Sequence, residues 1–432
     1  MKRLRLHTTL TLVILMGLFL VACGGQSTPG DEAAPVAATE SGELVIWSQY
    51  DLSNSEDRNS VAMNQRIKDF EAETGIKVVF EQIAWDQLSS KLALAVQAGG
   101  KVPDVVEVGS QHVPALISAG ALAPLDDLMV GENWVNELTD GDRLACVIDG
   151  VRRCVAHNVR GGITYYKADQ FPNGYPETAE AWLQEAARLK ADGQYMSTFF
   201  AGRSYGAIEV AWWPFIRSNG GAIFDAEGKP AWATAEVAEV VEWAREMLTN
   251  EHFPPVIVTG DFADAETAWM NGTSATFRGG SWSAIFVPGL QDAVDAGEVN
   301  VTGGVRFGGG NPYVFLVSEG WAIPTRAANP GAARAWLRGF MQPEFLAAWS
   351  EAQFGIPTTE AAYAAGQFDS AFYRQVDEIL GAQGSYMQQS PYYVESLDAL
   401  AIAWQELLLN PGMDVLPRLQ RAQDDVLARY WE

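Results

Sequence analysis

Polar and aromatic side chains follow two of the predicted β-strands, close to the point where each strand ends. Trp47 and Tyr50 come at the end of an apolar run and just after it, and Ser110 and Gln111 follow a second run at 105–108. An aromatic ring stacks on an apolar ligand face, and planar polar groups bond two hydroxyls at once. These four residues therefore form a candidate binding site for a small polar molecule, provided that the fold brings the two strand ends together.

The order of predicted elements supplies such a fold. Apolar β-type runs at 44–47, 76–80 and 105–108 alternate with segments that have apolar residues at helical spacing, and glycines end these segments. A β-α-β-α-β order predicts a mainly parallel, wound sheet. Ligands bind beyond the carboxyl ends of the strands in such sheets, which is where the four residues lie.

A second α/β region follows the first. It begins with a predicted strand at 162–166, and Thr178 is the expected N-cap of the next helix. Further helices are predicted at about 234–250, 330–341 and 343–351, and the chain from about residue 370 is expected to be mostly helical.

The first residues have the pattern of an export signal. Lys2, Arg3 and Arg5 precede an uncharged stretch that is too short to be a confident membrane span. It ends in Leu-Val-Ala-Cys23, which resembles the lipobox of bacterial lipoproteins. We expect residues 1–22 to be a lipoprotein signal peptide, Cys23 to carry the lipid and 23–41 to be a flexible tether. The alternative is an ordinary signal peptide that happens to end near a cysteine.

The net formal charge of −25 restricts the partners of the chain. Neutralising phosphates needs clustered Lys and Arg, so we expect no nucleic-acid partner. The excess of acidic over basic residues also argues against docking on anionic lipid. The N-terminal lipid is therefore the expected membrane contact. The length favours two lobes over a single core.

Two further cysteines, Cys146 and Cys154, flank the hairpin-turn signal Asp149-Gly150. A disulfide between them is expected in an oxidising compartment, and two reduced thiols are the alternative. Cysteine and histidine pairs with zinc spacing are missing from the sequence, so we expect neither a metal nor another cofactor.

Two common motifs of enzyme active sites are missing. The sequence has no His-Glu-x-x-His and no phosphate-binding Gly-Lys-Ser/Thr. We therefore do not expect an enzyme. A glycoside hydrolase is the enzymatic alternative, and its two carboxyl groups would face each other at roughly 5–10 Å.

A series of sequence blocks resembles the sugar-type solute-binding proteins of ABC importers, the maltose-binding-like class. The blocks occur in order over most of the chain, at 70–78, 100–106, 117–125, 161–167, 219–225, 270–276, 279–282, 320–324 and 355–357. One departure is Tyr165-Tyr166-Lys167, where that family usually has Tyr-Asn-Lys.

This resemblance implies a two-lobed, periplasmic-binding-protein-like α/β fold of type II. Each lobe would be a wound, mainly parallel sheet with flanking helices, and a hinge would close the lobes around ligand. We expect one lobe from 42–156 plus 273–322 and the other from 157–272 plus 323–432. The implied protein is an extracytoplasmic, monomeric receptor at the cell surface or in the periplasm. It would capture a sugar or oligosaccharide and deliver it to the permease subunits of an ABC importer.

The resemblance also adds site residues to the four named above. Arg160 would lie where the chain crosses between lobes, and Trp321 where it returns. The other additions are Trp212, Trp213, Arg278 and Trp282. Each has an alternative role in the core or in an ion pair, and only one of the two adjacent tryptophans is expected to line the cleft. Tyr386 and His157 are weaker candidates.

Other solutes are compatible with the same class of receptor. A glycerol phosphodiester or another organic anion would use Arg160 and Arg278 as a charge clamp. A polyamine would need acidic residues between the aromatic rings.

Overall fold

A computed structural model describes residues 42–431 of the chain. The predicted signal peptide, Cys23 and the predicted tether lie outside the described residues. Within 42–431, none of the helices combines the length and apolar character needed to cross a membrane.

Strands and helices alternate along most of the described chain. The strands are β1 (Glu43–Ser48), β2 (Lys77–Gln82), β3 (Val105–Gly109), β4 (Val147–Ile148), β5 (Val151–Arg152), β6 (Cys154–Lys167), β7 (Tyr195–Thr198), β8 (Ser274–Gly280), β9 (Val299–Thr302), β10 (Val314–Ala322), β11 (Ile356–Pro357) and β12 (Gly384–Ser385).

The helices before β9 are α1 (Arg58–Thr74), α2 (Trp85–Gln97), α3 (Val113–Ser118), α4 (Asp140–Cys146), α5 (Ala179–Ala191), α6 (Trp213–Ser218), α7 (Ala235–Thr249), α8 (Phe262–Met270), α9 (Ser283–Phe286) and α10 (Leu290–Asp295). Those after β10 are α11 (Pro330–Phe340), α12 (Pro343–Ala352), α13 (Glu360–Ala365), α14 (Ala371–Gln383), α15 (Tyr393–Leu409) and α16 (Val415–Tyr430).

The predicted secondary structure is confirmed at most positions. The predicted strands are β1, β2, β3 and part of β6, and the predicted helices at 234–250, 330–341 and 343–351 are α7, α11 and α12. Thr178 caps α5 as expected, because its side chain accepts a hydrogen bond from the backbone N–H of Ala181.

The central sheet is mixed rather than mainly parallel. It runs in the order β2-β1-β3-β10-β6-β8-β7, with β9 and β11 also paired to β6. β1 is parallel to β2 and β3, as predicted, whereas β10 is antiparallel to both β3 and β6. The two long strands β6 and β10 run through the middle in opposite directions, which makes the pairings around them antiparallel.

Strand pairing and helix packing bear on where the lobe boundaries are to be drawn. β8, which the predicted boundaries place in the first lobe, pairs with the second half of β6 and with β7. α11 and α12, which the predicted boundaries place in the second lobe, pack against α1 beside the β1–β2 pair. These pairings join distant parts of the sequence, and no local pattern in the sequence records them.

The Asp149-Gly150 turn forms as its sequence predicts. Both residues have positive φ, at 52° and 78°, and the antiparallel pair β4 and β5 flanks them. This turn brings the end of α4 next to the start of β6, and Cys146 and Cys154 are joined there in a disulfide with Cα atoms 4.9 Å apart.

Candidate functional site

A cleft of about 990 Å³ lies over the central strands β6 and β10. Side chains that follow β1 and β3 line one side of it, and side chains from 200–210, α8 and α9 line the other. Nine of the lining residues are aromatic: Tyr50, Trp85, Phe200, Tyr205, Phe262, Trp282, Phe286, Phe315 and Phe354.

Four of the ten predicted ligand-binding residues line this cleft. They are Tyr50, Gln111, Arg160 and Trp282. Tyr50 and Gln111 follow the ends of β1 and β3, which are adjacent parallel strands, so the structure brings these two loops together as the topology requires. Their contact with a ligand stays a prediction.

A buried hydrogen-bond network fixes Tyr50 and Arg160 at the base of the cleft. The Arg160 guanidinium forms a salt bridge with Glu319 on β10. The Tyr50 hydroxyl donates to Gln353 Oε1 at 2.7 Å, and Arg160 Nη1 donates to the same oxygen at 3.4 Å. Gln353 in turn donates to Asn59 Oδ1. The network connects β6 and β10 to the segments that follow β1 and α12.

Glu319 reaches this network because β10 is irregular beside it. The pairing of β10 with β6 shifts register between Glu319 and Gly320, as in a β-bulge. A Cβ atom at Gly320 would lie 2.3 Å from the Val155 carbonyl oxygen, so only glycine fits this close backbone approach.

A second carboxyl group, that of Glu107 on β3, lies beside the network. It accepts hydrogen bonds from Ser48 Oγ at 2.6 Å and from the Gln49 backbone N–H at 3.1 Å. Burial, with a further contribution from the charge of Glu319, raises the pKa of Glu107 to about 7. For Arg160, burial acts to lower the pKa, but the charge and hydrogen bond of Glu319, together with Tyr50 and Glu107, outweigh burial, and the pKa is raised.

Trp47 and Ser110 lie beside the cleft without lining it. Alternation along β1 places Leu44 and Ile46 in one apolar cluster and Trp47 in another, on the opposite face. Lys91 Nζ covers the Trp47 ring at 4.2 Å from the ring centre. Ser110 Oγ accepts a hydrogen bond from the Ser318 backbone N–H at 3.2 Å, which ties β3 to β10.

Trp212, Trp213 and Trp321 are fully buried in the core. Trp212 packs edge-on against Phe199, and Trp213 packs against Phe315. Trp321 on β10 packs against a tryptophan and a phenylalanine of α11. None of the three is among the residues that line the cleft, so we do not propose them as ligand contacts.

Arg278 on β8 has a structural partner that explains its burial. Its Nε donates to the carbonyl oxygen of Val210 at 2.9 Å. Pro214 follows four residues later and has no N–H, so it cannot give that carbonyl its α-helical hydrogen bond. Burial lowers the pKa of Arg278 to about 10. The predicted charge clamp of Arg160 and Arg278 does not form at the cleft, because Arg278 does not line it.

The two weaker candidates also lie elsewhere. The Tyr386 hydroxyl donates to the Gly141 carbonyl oxygen at 3.1 Å. His157 is enclosed in the core, where its Nδ1 accepts from Trp349 Nε1 at 3.3 Å.

An aromatic wall that the sequence did not predict forms one side of the cleft. Phe262 of α8 lies between Phe200, at 5.2 Å between ring centres, and Phe286, at 6.2 Å. Trp282 continues the wall 6.5 Å from Phe262 and also lies under the Arg160 guanidinium, at 5.7 Å. Phe286 is 56 % exposed, so this wall presents apolar ring faces to the open cleft.

Carboxyl groups outnumber cations in the lining. The carboxyl groups are those of Asp51, Glu56, Asp57, Asp86, Glu209 and Glu319, and the cations are Arg58 and Arg160. Both cations are engaged, since Arg160 pairs with Glu319 and Arg58 lies 5.4 Å from the ring centre of Phe354. In the part of the chain that the structure describes, no group of three or more His, Cys, Asp or Glu residues is arranged to hold a metal ion.

Two sets of strands and helices, joined by long strands with a lined cleft above them, give the chain the fold of the type II periplasmic binding proteins. The chain belongs to the bacterial extracellular solute-binding proteins, since the model of that family matches residues 65–373.

Similar proteins include a curated relative and several solved structures. The chain is 23 % identical over 362 residues to the diacetylchitobiose binding protein DasA of Streptomyces coelicolor, a match that covers 80 % of each chain. The GacH receptor of Streptomyces glaucescens, solved unliganded and with acarbose, has a TM-score of 0.75 at 14 % identity, over 90 % of this chain and 98 % of that one. An ABC transporter solute-binding protein of Thermotoga lettingae, bound with α-D-tagatose, has a TM-score of 0.75 at 18 % identity. That match covers 90 % of this chain and 99 % of the other.

Proposed function

We propose that this protein captures an oligosaccharide outside the cytoplasm and delivers it unchanged to the permease of an ABC importer. The observation that carries the proposal is the pairing of two kinds of surface across one cleft. The wall of Phe200, Phe262, Phe286 and Trp282 offers ring faces to apolar sugar faces. The opposite side offers Gln111, Tyr50 and carboxyl groups that suit hydroxyls.

The size of the cleft supports an oligosaccharide over a single sugar. Its volume of about 990 Å³ is at the upper end of the range of roughly 300–1,000 Å³ that is usual for small-molecule sites. The saccharide ligand named for DasA is consistent with this choice.

The charge of the lining weighs against an organic anion or a glycerol phosphodiester. An anion would meet more carboxyl groups than cations, and both cations already have partners. Arg278, the second member of the expected clamp, is held by the Val210 carbonyl. A polyamine is the second candidate, because acidic groups and aromatic rings occur together in the lining.

We also propose lobe boundaries that follow the observed pairings. The first lobe comprises about 42–159 with 318–366, and the second about 160–317 with 367–431. β6 and β10 cross between them, so bending there would close the cleft. Small-angle scattering should then give a smaller radius of gyration with a bound saccharide than without one.

The chain is further proposed to act as a monomer held at the membrane by lipid on Cys23. Mass spectrometry of the protein from membranes would detect the acyl groups on that residue, and an unmodified N-terminal segment would contradict the anchor.

A thermal-shift panel tests the choice of ligand. The panel contains N,N′-diacetylchitobiose, maltotriose, tagatose, glycerophosphocholine, citrate and spermidine. A ligand at about 100 times its dissociation constant stabilises the folded state by about 2.7 kcal/mol. We expect a rise in Tm with an oligosaccharide. A rise with citrate, glycerophosphocholine or spermidine alone would contradict the sugar assignment, and release of monosaccharide from maltotriose would contradict the receptor role.

A further inference from the structure

Glu209 is a buried carboxyl group on the wall of the cleft. The residue is 4 % exposed, and it lines the cleft from a π-helical turn, Ala207–Trp212. Such turns occur often at functional sites. Its Oε1 accepts a hydrogen bond from the Tyr393 hydroxyl at 2.8 Å. Among residues 42–431, no hydrogen bond reaches the other oxygen, Oε2, and this atom is not among the fully enclosed polar atoms. Oε2 is therefore the atom that a ligand in the cleft can meet.

Among the described residues, no cation forms a salt bridge with this carboxyl group. Burial raises the pKa of Glu209 to about 8, the Tyr393 hydrogen bond opposes this shift, and the charge of Asp398 on α15 adds to it. Charged groups on the other elements packed against the turn have their own partners. Arg278 donates to the Val210 carbonyl, Arg217 lies over the Tyr313 ring, and Glu319 pairs with Arg160.

A carboxyl group in this setting holds its proton at neutral pH. Since Oε1 already accepts from Tyr393, the proton belongs on Oε2, where the group is a hydrogen-bond donor. We propose that Glu209 is a specificity-determining residue whose neutral carboxyl group donates a hydrogen bond from the cleft wall to an oxygen of the bound saccharide. This inference rests on the proposed function.

The neutral donor has a consequence for selectivity. A protonated carboxyl group donates to an acceptor oxygen, such as a hydroxyl or an acetamido carbonyl, and it lacks the negative charge that would attract an ammonium group. A ligand with an amine would instead require the carboxylate, and it would displace the proton on binding. The two cases predict opposite effects of pH on affinity.

The first test is the affinity of the mature protein for a saccharide that does not titrate, measured by calorimetry from pH 6 to 9.5. The probes are N,N′-diacetylchitobiose, maltotriose and cellotriose, and the one that binds most tightly is followed. If binding needs the protonated form with a pKa of about 8, affinity falls about tenfold between pH 7 and pH 9. Affinity that rises above pH 8 would overturn the proposal in favour of a carboxylate counter-ion.

Variants assign the effect to one residue. Glu209→Gln keeps an acceptor for Tyr393 and an N–H donor for the ligand, so we expect affinity within about threefold at pH 7 and no fall by pH 9. Glu209→Ala removes the donor and should weaken binding about tenfold at pH 7. Glu266→Gln is the matched control, since burial also raises the pKa of Glu266 to about 8 but its side chain does not line the cleft. The Glu266→Gln protein should still lose affinity for the saccharide between pH 7 and pH 9.

The outcomes separate the inference from the function on which it rests. Saccharide binding with an unchanged pH dependence in Glu209→Gln overturns the role of Glu209 alone. If the saccharide binds and the pH dependence disappears in Glu266→Gln but not in Glu209→Gln, the role of Glu209 alone is likewise overturned. If none of the three saccharides binds, both the proposed function and this inference fail.

Discussion

The guanidinium Nε of Arg278 lies 2.9 Å from the carbonyl oxygen of Val210, in the turn that carries Glu209 to the cleft. Pro214 removes the N–H that would otherwise bond this carbonyl, and its ring disfavours close packing against the preceding turn. A buried arginine that resembled a ligand contact in the sequence therefore completes the backbone of the cleft wall.

This relationship predicts a coupling between two positions. Arg278→Ala should lower the free energy of unfolding by about 1–3 kcal/mol, because it leaves a buried carbonyl without this donor. Pro214→Ala supplies an N–H four residues after Val210, where it can bond the Val210 carbonyl. In the Pro214→Ala variant, Arg278→Ala should therefore cost about 1 kcal/mol less unfolding free energy. Urea unfolding of the two single variants and the double variant measures the coupling. Strictly additive effects would show that Arg278 does not substitute for the missing N–H.

Trp282 should be the main stacking surface for the saccharide. It lies at the junction of the aromatic wall and Arg160, so Trp282→Ala should weaken binding by about thirtyfold, which corresponds to about 2 kcal/mol. Titration calorimetry at constant pH measures the change. Trp321→Phe is the control, since that ring is buried away from the cleft, and it should lower Tm while affinity stays within about twofold. Equal affinity in Trp282→Ala and the unchanged protein would place the stacking surface elsewhere.

The disulfide between Cys146 and Cys154 should stabilise the first lobe. It closes a short loop around the β4–β5 turn, and replacing both cysteines by serine should cost about 2–3 kcal/mol of unfolding free energy. Denaturant unfolding under non-reducing conditions gives the value. A double-serine variant as stable as the unchanged protein would show that the bridge contributes nothing to folding.

The pH dependence of stability should report on Glu266. Burial raises the pKa of this group in the folded state from 4.5 to about 8, so between these values the folded state binds more protons than the unfolded state. The group therefore lowers the free energy of unfolding as the pH rises through that window, and its effect is complete above pH 8. Glu266→Gln cannot titrate, so its Tm should decline less between pH 5 and pH 8. Parallel declines in both proteins would contradict the raised pKa.

Much of the fold follows from local patterns in the sequence. The β-α-β-α-β order, the Asp149-Gly150 turn and the Thr178 cap depend on residues that are close together in the chain, and each of them forms as predicted. The proposed lobe boundaries depend instead on the pairing of β6 with β8, which are more than one hundred residues apart, so no local pattern predicts them.

The placement of side chains around the cleft was harder to predict. β1 and β10 are covered on both faces, so apolar and polar residues do not alternate along them. The sequence therefore could not indicate that Trp47 and Trp321 point into the core. Three carboxyl groups in or beside the cleft did leave a signal in the sequence. Glu107 and Glu209 each have an apolar residue directly on both sides, and Glu319 follows an apolar run on β10. A buried charge there needs a partner or a function.

A crystal structure with a bound saccharide tests the central claim most directly. Crystals grown at saturating concentration of the oligosaccharide that most raises Tm should show one ligand in the cleft. We predict that a sugar ring lies against Trp282 and that one of its oxygens lies within hydrogen-bond distance of Glu209 Oε2. An empty cleft at that concentration, or a saccharide bound only outside it, would contradict the account.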